Sequence, residues 1–267
     1  MTKVILILIF ISNLMYASSV TAQYDVDFSV VGTIAKASMN KVVEGDDYVI
    51  TLEAHAIGIA AEMTKDRSET YISQGSVVGS EFIPDVLVVK RKTKDKEKYT
   101  IFKFDHKNKV VQKDSSEVER VCDKSIDVIS MRIISTEKEE FSFSSVKNDI
   151  YARNDIVSLL FNSRYYIGTM SVGERKKLRA VGIKTDEGEL MISLPARGAV
   201  IDNIDKTGVS KNDLFGIAIN KDYFENGKGE LVVKLDPDGF PSRAVMNDVA
   251  LYGDVVGKRV YTELVSN

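Results

Sequence analysis

Residues 48–55 of the chain read YVITLEAH, and this short stretch decides the fold class. Apolar side chains stand at every second position, with mostly polar side chains between them. A period of two sends alternate side chains to opposite faces of a β-strand, one buried and one facing water. The same alternation recurs in three further stretches, which are 24–30 (YDVDFSV), 190–194 (LMISL) and 231–235 (LVVKL). The sequence therefore predicts a mainly β protein built from antiparallel strands.

Turn-forming residues lie between these strand patterns. Residues 44–47 (EGDD), 105–109 (DHKNK) and 236–239 (DPDG) are rich in Gly, Pro, Asn and Asp. The backbone preferences of these residue types favour tight turns and hairpins. A calcium loop at 236–239 is much less favoured than a turn, because the next acidic ligand that such a loop needs is missing.

One segment departs from the period of two. In residues 154–167 (NDIVSLLFNSRYYI) the apolar positions recur at intervals of three and four, which is the helical period. Asn154 or Asp155 is suited to the N-cap, and Gly168 is suited to the end of the helix. The sequence thus predicts one substantial helix within 154–167.

Two shorter segments are less distinctive. Residues 115–121 (SSEVERV) are predicted as a second, short helix. Residues 213–220 (DLFGIAIN) fit either a helix or a strand, and Gly216 in the middle favours the strand. Together the patterns predict one large, curved antiparallel sheet, as a partly open barrel or a two-layer β structure, with a single substantial helix.

The N-terminus has the features of a secretory signal peptide. Lys3 is followed by an unbroken apolar run at 4–11 (VILILIFI) and then by small residues up to Ala22. A charged start, a short apolar run and a small–x–small site are typical of an exported chain. We expect cleavage after Ala22, with cleavage after Ala17 as the second choice; the less favoured alternative is a buried N-terminal helix. Residues 1–22 are then the signal and 23–267 a single β-rich exported domain in the periplasm.

The charge composition indicates which classes of partner the chain can bind. The formal charge is −3, and removal of a signal with one Lys and no acid leaves −4. A mildly acidic chain lacks the basic surface that binds nucleic acid. The segment 90–98 (KRKTKDKEK) is predicted to be the solvated end of a hairpin. A patch for anionic lipids or glycans is the alternative, which Asp95 and Glu97 weaken.

The sequence shows no recognisable catalytic or metal-binding pattern. Cys122 is the only cysteine, so no internal disulfide forms, and we expect a small, partly buried side chain rather than a redox-active or intermolecular thiol. The two histidines, His55 and His106, have no Cys or His partner at metal-ligand spacing. No nucleophile elbow or phosphate loop is present. We therefore predict no catalytic residues, no metal and no cofactor.

Several short stretches, read in order, resemble a family of exported bacterial proteins that is catalogued only as a domain of unknown function. The stretches include 45–50 (GDDYVI), 154–158 (NDIVS), 164–166 (RYY), 240–243 (FPSR) and 253–257 (GDVVG). The resemblance covers most of 24–257. It implies a periplasmic or otherwise secreted location and a β-rich fold, and it implies no catalytic residues.

Three functions remain open on the sequence alone. The favoured one is a soluble, non-enzymatic protein of the cell envelope that acts as an interaction or structural module and does not span the membrane once its signal is removed. The alternative is a periplasmic carrier that holds a lipid or another apolar ligand on the concave face of a curved sheet, with Phe28, Leu52, Leu159 and Leu160 as candidate contacts. The third is an enzyme without a recognisable motif. Envelope proteins or lipids are the partners that these functions imply.

Overall fold

The computed structural model describes residues 17–127, 132–148, 151–182, 189–194, 214–220, 228–249 and 253–266. Two helices are present in these ranges, α1 (Gly58–Thr64) and α2 (Ile156–Gly168). The strands, in chain order, are β1 (Ala17–Phe28), β2 (Gly32–Glu44), β3 (Asp47–Ala56), β4 (Ser68–Val78), β5 (Glu81–Lys92), β6 (Lys96–Asp105), β7 (Val110–Asp127), β8 (Arg132–Asn148), β9 (Asn154–Asp155), β10 (Arg175–Val181), β11 (Glu189–Ser193), β12 (Leu214–Asn220), β13 (Lys228–Leu235), β14 (Pro241–Val249) and β15 (Gly253–Ser266).

The strands form one continuous sheet in the order β8-β7-β6-β5-β4-β3-β2-β1-β15-β14-β13-β12-β11-β10-β9. Every neighbouring pair is antiparallel except β9 and β10, which are parallel. Two runs of strands therefore meet at a seam where β1 pairs with β15. The sheet is open, with β8 and β9 at its two ends. The prediction of a mainly β protein with a large, curved antiparallel sheet is confirmed.

Helix α2 lies inside the curve and separates two apolar clusters. The first core joins one side of the helix to the first run of strands through residues such as Ile50, Leu87, Phe102, Val157 and Phe161. The second core joins the other side of the helix to the second run of strands. Its members include Leu159, Ile167, Ile192, Val233 and Leu235. The helix thus packs against both halves of the curved, open sheet.

The alternation in 48–55 places side chains as predicted. Tyr48 and Ile50 are almost completely buried on β3, whereas Val49 is 39% exposed and His55 is exposed. The alternation in 231–235 predicts an exposed Val232, and that expectation is wrong, because Val232 has no exposed surface. β13 lies between β12 and β14, and Val232 is paired with the equally buried Val245.

The predicted helix is also confirmed. α2 begins after Asp155, whose carboxylate accepts hydrogen bonds from the backbone N–H groups of Val157 and Ser158. The side chain of Ser158 accepts a bond from the backbone of Asp155 in return, which completes a capping box. The helix ends at Gly168, where the sequence predicts its end.

The expectation for 115–121 is wrong, because these residues lie inside β7. Their register against β6 and β8 satisfies backbone groups that a short isolated helix would leave unpaired. Residues 214–220 are a strand, as Gly216 favours. Cys122 was expected to be partly buried, but it is exposed on the part of β7 that extends beyond β6.

Residues 17–22, the last part of the predicted signal, are paired within the sheet. Residues 17–22 pair with 39–44 of β2 on one side, and residues 18–22 pair with 262–266 of β15 on the other. Ala22 has no exposed surface and Val20 is 9% exposed. The apolar run at 4–11 lies outside the described residues. Cleavage stays a prediction, and a cut after Ala17 leaves β1 almost intact, whereas a cut after Ala22 removes half of it.

Candidate ligand-binding cavity

A cavity of about 650 Å³ lies between the two runs of strands and beside α2. Its interior is mainly apolar and includes Met39, Leu52, Leu159, Leu160, Ile192 and Val233. These side chains come from β2 and β3, from the helix, and from β11 and β13. The curl of the sheet therefore brings residues that are distant in the sequence to one apolar space.

Three of the four predicted ligand contacts border this cavity. Leu52, Leu159 and Leu160 are all lining residues, and Leu160 packs against both cores. Phe28 is half-buried near the end of β1 and lies outside both the cavity lining and the two cores. The structure thus brings the three leucines together and leaves Phe28 apart from them.

A buried polar network anchors the start of α2 to the sheet. The hydroxyl of Ser73 donates to the Asp155 carboxylate at 2.6 Å, and the Tyr48 hydroxyl lies 3.0 Å from Ser73. Asp155 has no exposed surface. Burial raises the pKa of Asp155 to about 6, against the opposing effect of the hydrogen bonds that it accepts. The network holds the helix in one position over the sheet.

A second polar anchor lies about two turns further along the helix. The side chain of Asn162 accepts from the backbone N–H of Phe82 and donates to its carbonyl, both at 2.8 Å. The same amide donates to Asn154, which in turn donates to the Tyr166 hydroxyl at 3.0 Å. Because these bonds involve the backbone of β5, they fix α2 as a rigid wall of the cavity.

An aromatic cage fills the interior beyond the cavity. The ammonium of Lys41, two residues along β2 from Met39, lies 5.1 Å from the ring centre of Phe161 and 5.2 Å from that of Phe240. It donates to the carbonyl of Asp238 at 3.2 Å. Burial lowers the pKa of Lys41, and the charge of Asp238 acts in the opposite direction. Lys41 thus stabilises the core through cation–π contacts with these two rings. It does not line the cavity.

One side of the cavity ends in charged residues, which we call the charged rim. The rim consists of four cations and two carboxylates, namely Arg67, Arg91, Lys96, Lys98, Glu69 and Glu117. Each carboxylate is shared by two cations. Glu69 lies 2.7 Å from Arg67 Nε and 3.6 Å from Arg91 Nε, while Glu117 lies 2.5 Å from Lys96 and 3.0 Å from Lys98.

The rim carboxylates are held in their charged form. Burial opposes the ionisation of Glu69, but hydrogen bonds from Tyr71 and Arg67 and the charges of Arg67 and Arg91 hold its pKa below the ordinary value. Hydrogen bonds from Lys96 and Lys98 lower the pKa of Glu117 in the same way. The rim is therefore a stable set of ion pairs around the opening of an apolar space.

Sequence reasoning missed the rim because it treated 90–98 as a solvated hairpin end. That segment does form the end of β5, a turn and the start of β6. Strand phase carries the missing information, because Arg91 is in phase with buried Leu87 and Val89, and Lys98 with buried Thr100. Three of the eight charged residues in the segment, Arg91, Lys96 and Lys98, thus border the cavity.

No family model matches this chain, and no curated protein matches it. Within the described ranges, no helix has the length and apolar character needed to cross a bilayer. In those same ranges, no group of three or more His, Cys, Asp and Glu side chains is placed to hold a metal ion. The geometry of the cavity is therefore the basis for a functional assignment.

Proposed function

We propose that this chain is an exported, periplasmic binding protein that carries a lipid or another apolar ligand in the cavity beside α2. The observation that carries the proposal is the volume of that space. Protein interiors pack to near-crystal density and leave few voids larger than a water molecule. A cavity of about 650 Å³ exceeds what packing leaves and falls within the range of about 300–1,000 Å³ that small-molecule sites occupy.

The lining supports an apolar ligand. Met39, Leu52 and Leu160 come from three different elements and present hydrocarbon surface to one space. Each square ångström of apolar surface that a ligand removes from water contributes about 25 cal/mol. A hydrocarbon chain gains most from such a site, because it has no polar group that the interior would leave unpaired.

The polar anchors of α2 support a preformed site. The bonds of Asp155 to Ser73 and of Asn162 to Phe82 hold the helix away from the space that it borders. A preformed cavity avoids the ordering cost that a collapsed one would impose on binding. The helix accordingly acts as a wall of the site rather than as a plug.

Two measurements test this proposal. The first is native mass spectrometry of the protein purified from the periplasm, which we expect to show a co-purifying lipid. The second is titration with dansyl-labelled undecanoic acid, whose fluorescence rises in an apolar site. Leu52→Arg should abolish the rise because it places a charge in the cavity, whereas Val49→Arg on the exposed face of the same strand should not.

Leu52→Phe is a second variant that keeps the site apolar but reduces its volume. It should weaken probe binding while circular dichroism and the melting temperature confirm that the variant folds. Absence of any co-purifying lipid, together with absence of probe binding to the unaltered protein, would overturn the proposal.

The edge strand β8 favours an interaction module as a second candidate function. β8 is the last strand at one end of the sheet, and its residues Phe141 and Phe143 are 71% and 65% exposed on one face. Exposed edges with apolar side chains are templates for pairing with another chain. The partner we infer is a second copy, because a two-fold axis at Ser142 would pair Phe141 with Phe143 and Glu137 with Lys147.

Sedimentation velocity over a range of concentrations tests this second candidate. The unaltered protein should dimerise, and the double variant Phe141→Ser, Phe143→Ser should remain a monomer with an unchanged melting temperature. A protein that is monomeric at every concentration removes the candidate and leaves the carrier proposal unaffected, since the apolar lining of the cavity comes from β2, β3, α2, β11 and β13 and not from β8.

A further inference from the structure

We infer that the ligand of the cavity is a single-chain amphiphile with an acidic head group, a carboxylate or a phosphate, which the charged rim binds. This inference rests on the proposed function and specifies its ligand class. Three features of the cavity support it: the register of the rim residues, their net charge and the position of the apolar surface beside them.

Four of the six rim residues form a row of directly paired residues that crosses four neighbouring strands. Glu69 of β4 is opposite Arg91 of β5, Arg91 is opposite Lys98 of β6, and Lys98 is opposite Glu117 of β7. The next row on the same face of these strands is formed by Tyr71, Val89, Thr100 and Ser115, and the row after it by Ser73, Leu87, Phe102 and Lys113. The inner face therefore changes from a charged row to an uncharged one within two residues along each strand, and on β5 and β6 it becomes apolar at Leu87 and Phe102.

The net charge of the rim is positive. Four cations against two carboxylates leave a formal charge of +2 among the lining residues. Glu119, which is outside the lining, also contacts Lys96 at 3.3 Å and offsets part of this charge. Each of the two lining carboxylates is shared by two cations, so the cations outnumber the carboxylates. An incoming anion could therefore pair with these cations without displacing Glu69 or Glu117.

The rim cations are positioned for charge-assisted hydrogen bonds. The side chains of Arg91 and Lys98 are 31% and 40% exposed, so they remain accessible while partly shielded from solvent. The guanidinium of Arg91 donates to the Tyr71 hydroxyl at 3.2 Å, which fixes its orientation at the opening. Arginine and lysine bind carboxylates and phosphates by bonds about twice as strong as those between neutral groups.

Apolar surface lies directly beside the rim. Tyr71 is opposite Leu52, and Leu52 is opposite Met39. Both of these side chains line the cavity. A head group at Arg91 thus has its hydrocarbon chain next to Leu52 and pointing toward Leu159 and Leu160 on the helix. The arrangement matches an acid at the end of a chain and opposes a cationic head group.

Isothermal titration calorimetry with three ligands of equal chain length tests the inference. Decanoate should bind at least about tenfold more tightly than decan-1-ol, and decylamine should bind more weakly than the alcohol. Lys98→Gln and Arg91→Gln should each weaken decanoate binding by about tenfold and leave decan-1-ol binding unchanged. Because the rim is partly exposed, salt should weaken the binding of decanoate but not of decan-1-ol.

Lys103→Gln is the matched control, because Lys103 is on the same strand as Lys98 but on the opposite face, where it pairs with Asp114. It should bind decanoate like the unaltered protein. A decanoyl lysophosphatidic acid distinguishes the two acidic head groups: tighter binding than decanoate assigns a phosphate, and weaker binding assigns a carboxylate. Melting curves establish that each variant is folded.

The outcomes separate the two proposals. The inference of an acidic head group is overturned if decanoate and decan-1-ol bind with equal affinity. It is also overturned if Lys98→Gln and Arg91→Gln both bind decanoate as tightly as the unaltered protein. In either case the apolar carrier proposal stands. Failure of all three ligands to bind the unaltered protein overturns the carrier itself and the inference with it.

Discussion

At the scale of single residues, Asp155 couples the stability of the fold to pH. The chain of hydroxyls from Tyr48 through Ser73 to Asp155 can be polarised in either direction, so its hydrogen bonds persist whether or not the carboxyl is protonated. When Asp155 is ionised, Ser73 donates to it; when Asp155 is protonated, it donates to Ser73. The site therefore tolerates both protonation states, but at different free energies.

Burial raises the pKa of Asp155 from 3.8 to about 6. The folded-state pKa exceeds the unfolded one, so the folded protein binds an extra proton between these values. This contribution to stability is fully present below about pH 4 and is lost as the pH rises through about 6, with a total of about 3 kcal/mol. Urea unfolding at a series of pH values between about 4 and 7 measures this effect. As the pH rises, the free energy of unfolding of the unaltered protein should fall relative to that of Asp155→Asn, whose side chain does not titrate. A constant difference between the two proteins would contradict this assignment.

Gly75 occupies a position where the fold leaves no room for a side chain. β4 and β5 shift register at this point, where Gly75 pairs with Pro84. A Cβ on Gly75 would lie 2.0 Å from the carbonyl oxygen of Ile83, which is backbone and cannot move aside. Pro84 is suited to the same irregularity because it has no N–H to donate to the ladder.

We expect Gly75→Ala to lower the free energy of unfolding by about 3 kcal/mol or more, as overpacking against fixed backbone does. Gly168→Ala is the control, because a Cβ there meets nothing within 4 Å. Urea unfolding followed by circular dichroism measures both. Similar stabilities for the two variants would mean that the bulge differs from this description.

The sequence could predict the site only in part. Leu52, Leu159 and Leu160 were identified because strand and helix periodicity assigns each of them to an inward face. Phe28 followed the same rule but lies near two register shifts of β1, where the alternation is interrupted. Arg91 and Lys98 share the inward phase of their strands, yet their charge favours solvent, and only the position of the cavity shows why they face inward.

At the scale of elements, α2 was predictable because its signals are local. Asp155 caps it, Ser158 completes the capping box, and Gly168 ends it. Helix α1 was not predicted, since Gly58–Thr64 is short, has no buried residue and lacks a side-chain cap. Residues 115–121 have helix-compatible spacing, but pairing with two long strands outweighs that preference.

Asn162 contributes to the docking of α2 in addition to the apolar contacts of the helix. Asn162 is 1% exposed and satisfies both backbone groups of Phe82. In Asn162→Ala these groups lose their partner, and we expect a loss of about 3 kcal/mol. Tyr165→Ala, at a position that is 59% exposed on the same helix, should cost about 1 kcal/mol or less. Thermal unfolding compares them, and equal losses would contradict the role of Asn162.

At the scale of the whole molecule, the seam between β1 and β15 constrains where the signal peptide that we propose could be removed. We expect the mature protein to begin at Ser18, because residues 18–22 pair with both β2 and β15. N-terminal sequencing of the periplasmic protein checks the position. A chain that begins at Gln23 should melt about 5 °C or more below one that begins at Ser18, because it lacks the buried Val20 and Ala22. A mature protein that begins at Gln23 and is equally stable would refute the expectation.

The strand order could not be predicted from the sequence, and the reason is physical. Alternation assigns residues to faces and therefore predicts a sheet, but it does not state which strand is the neighbour of which. Most neighbours here follow one another along the chain, as hairpins do. The pairing of β1 with β15 joins residues such as Ser18 and Ser266, and no local pattern reports a contact over that separation.

That pairing also has a consequence for biogenesis. β1 is made first and β15 last, so one edge of β1 stays uncovered until synthesis, and the export that we propose, are nearly complete. Closing so long a loop is slow, and the open edge is prone to aggregation in the meantime. If the chain is exported as we propose, it should therefore depend on a holding chaperone before β15 pairs with β1, and its yield should fall when export outpaces that protection.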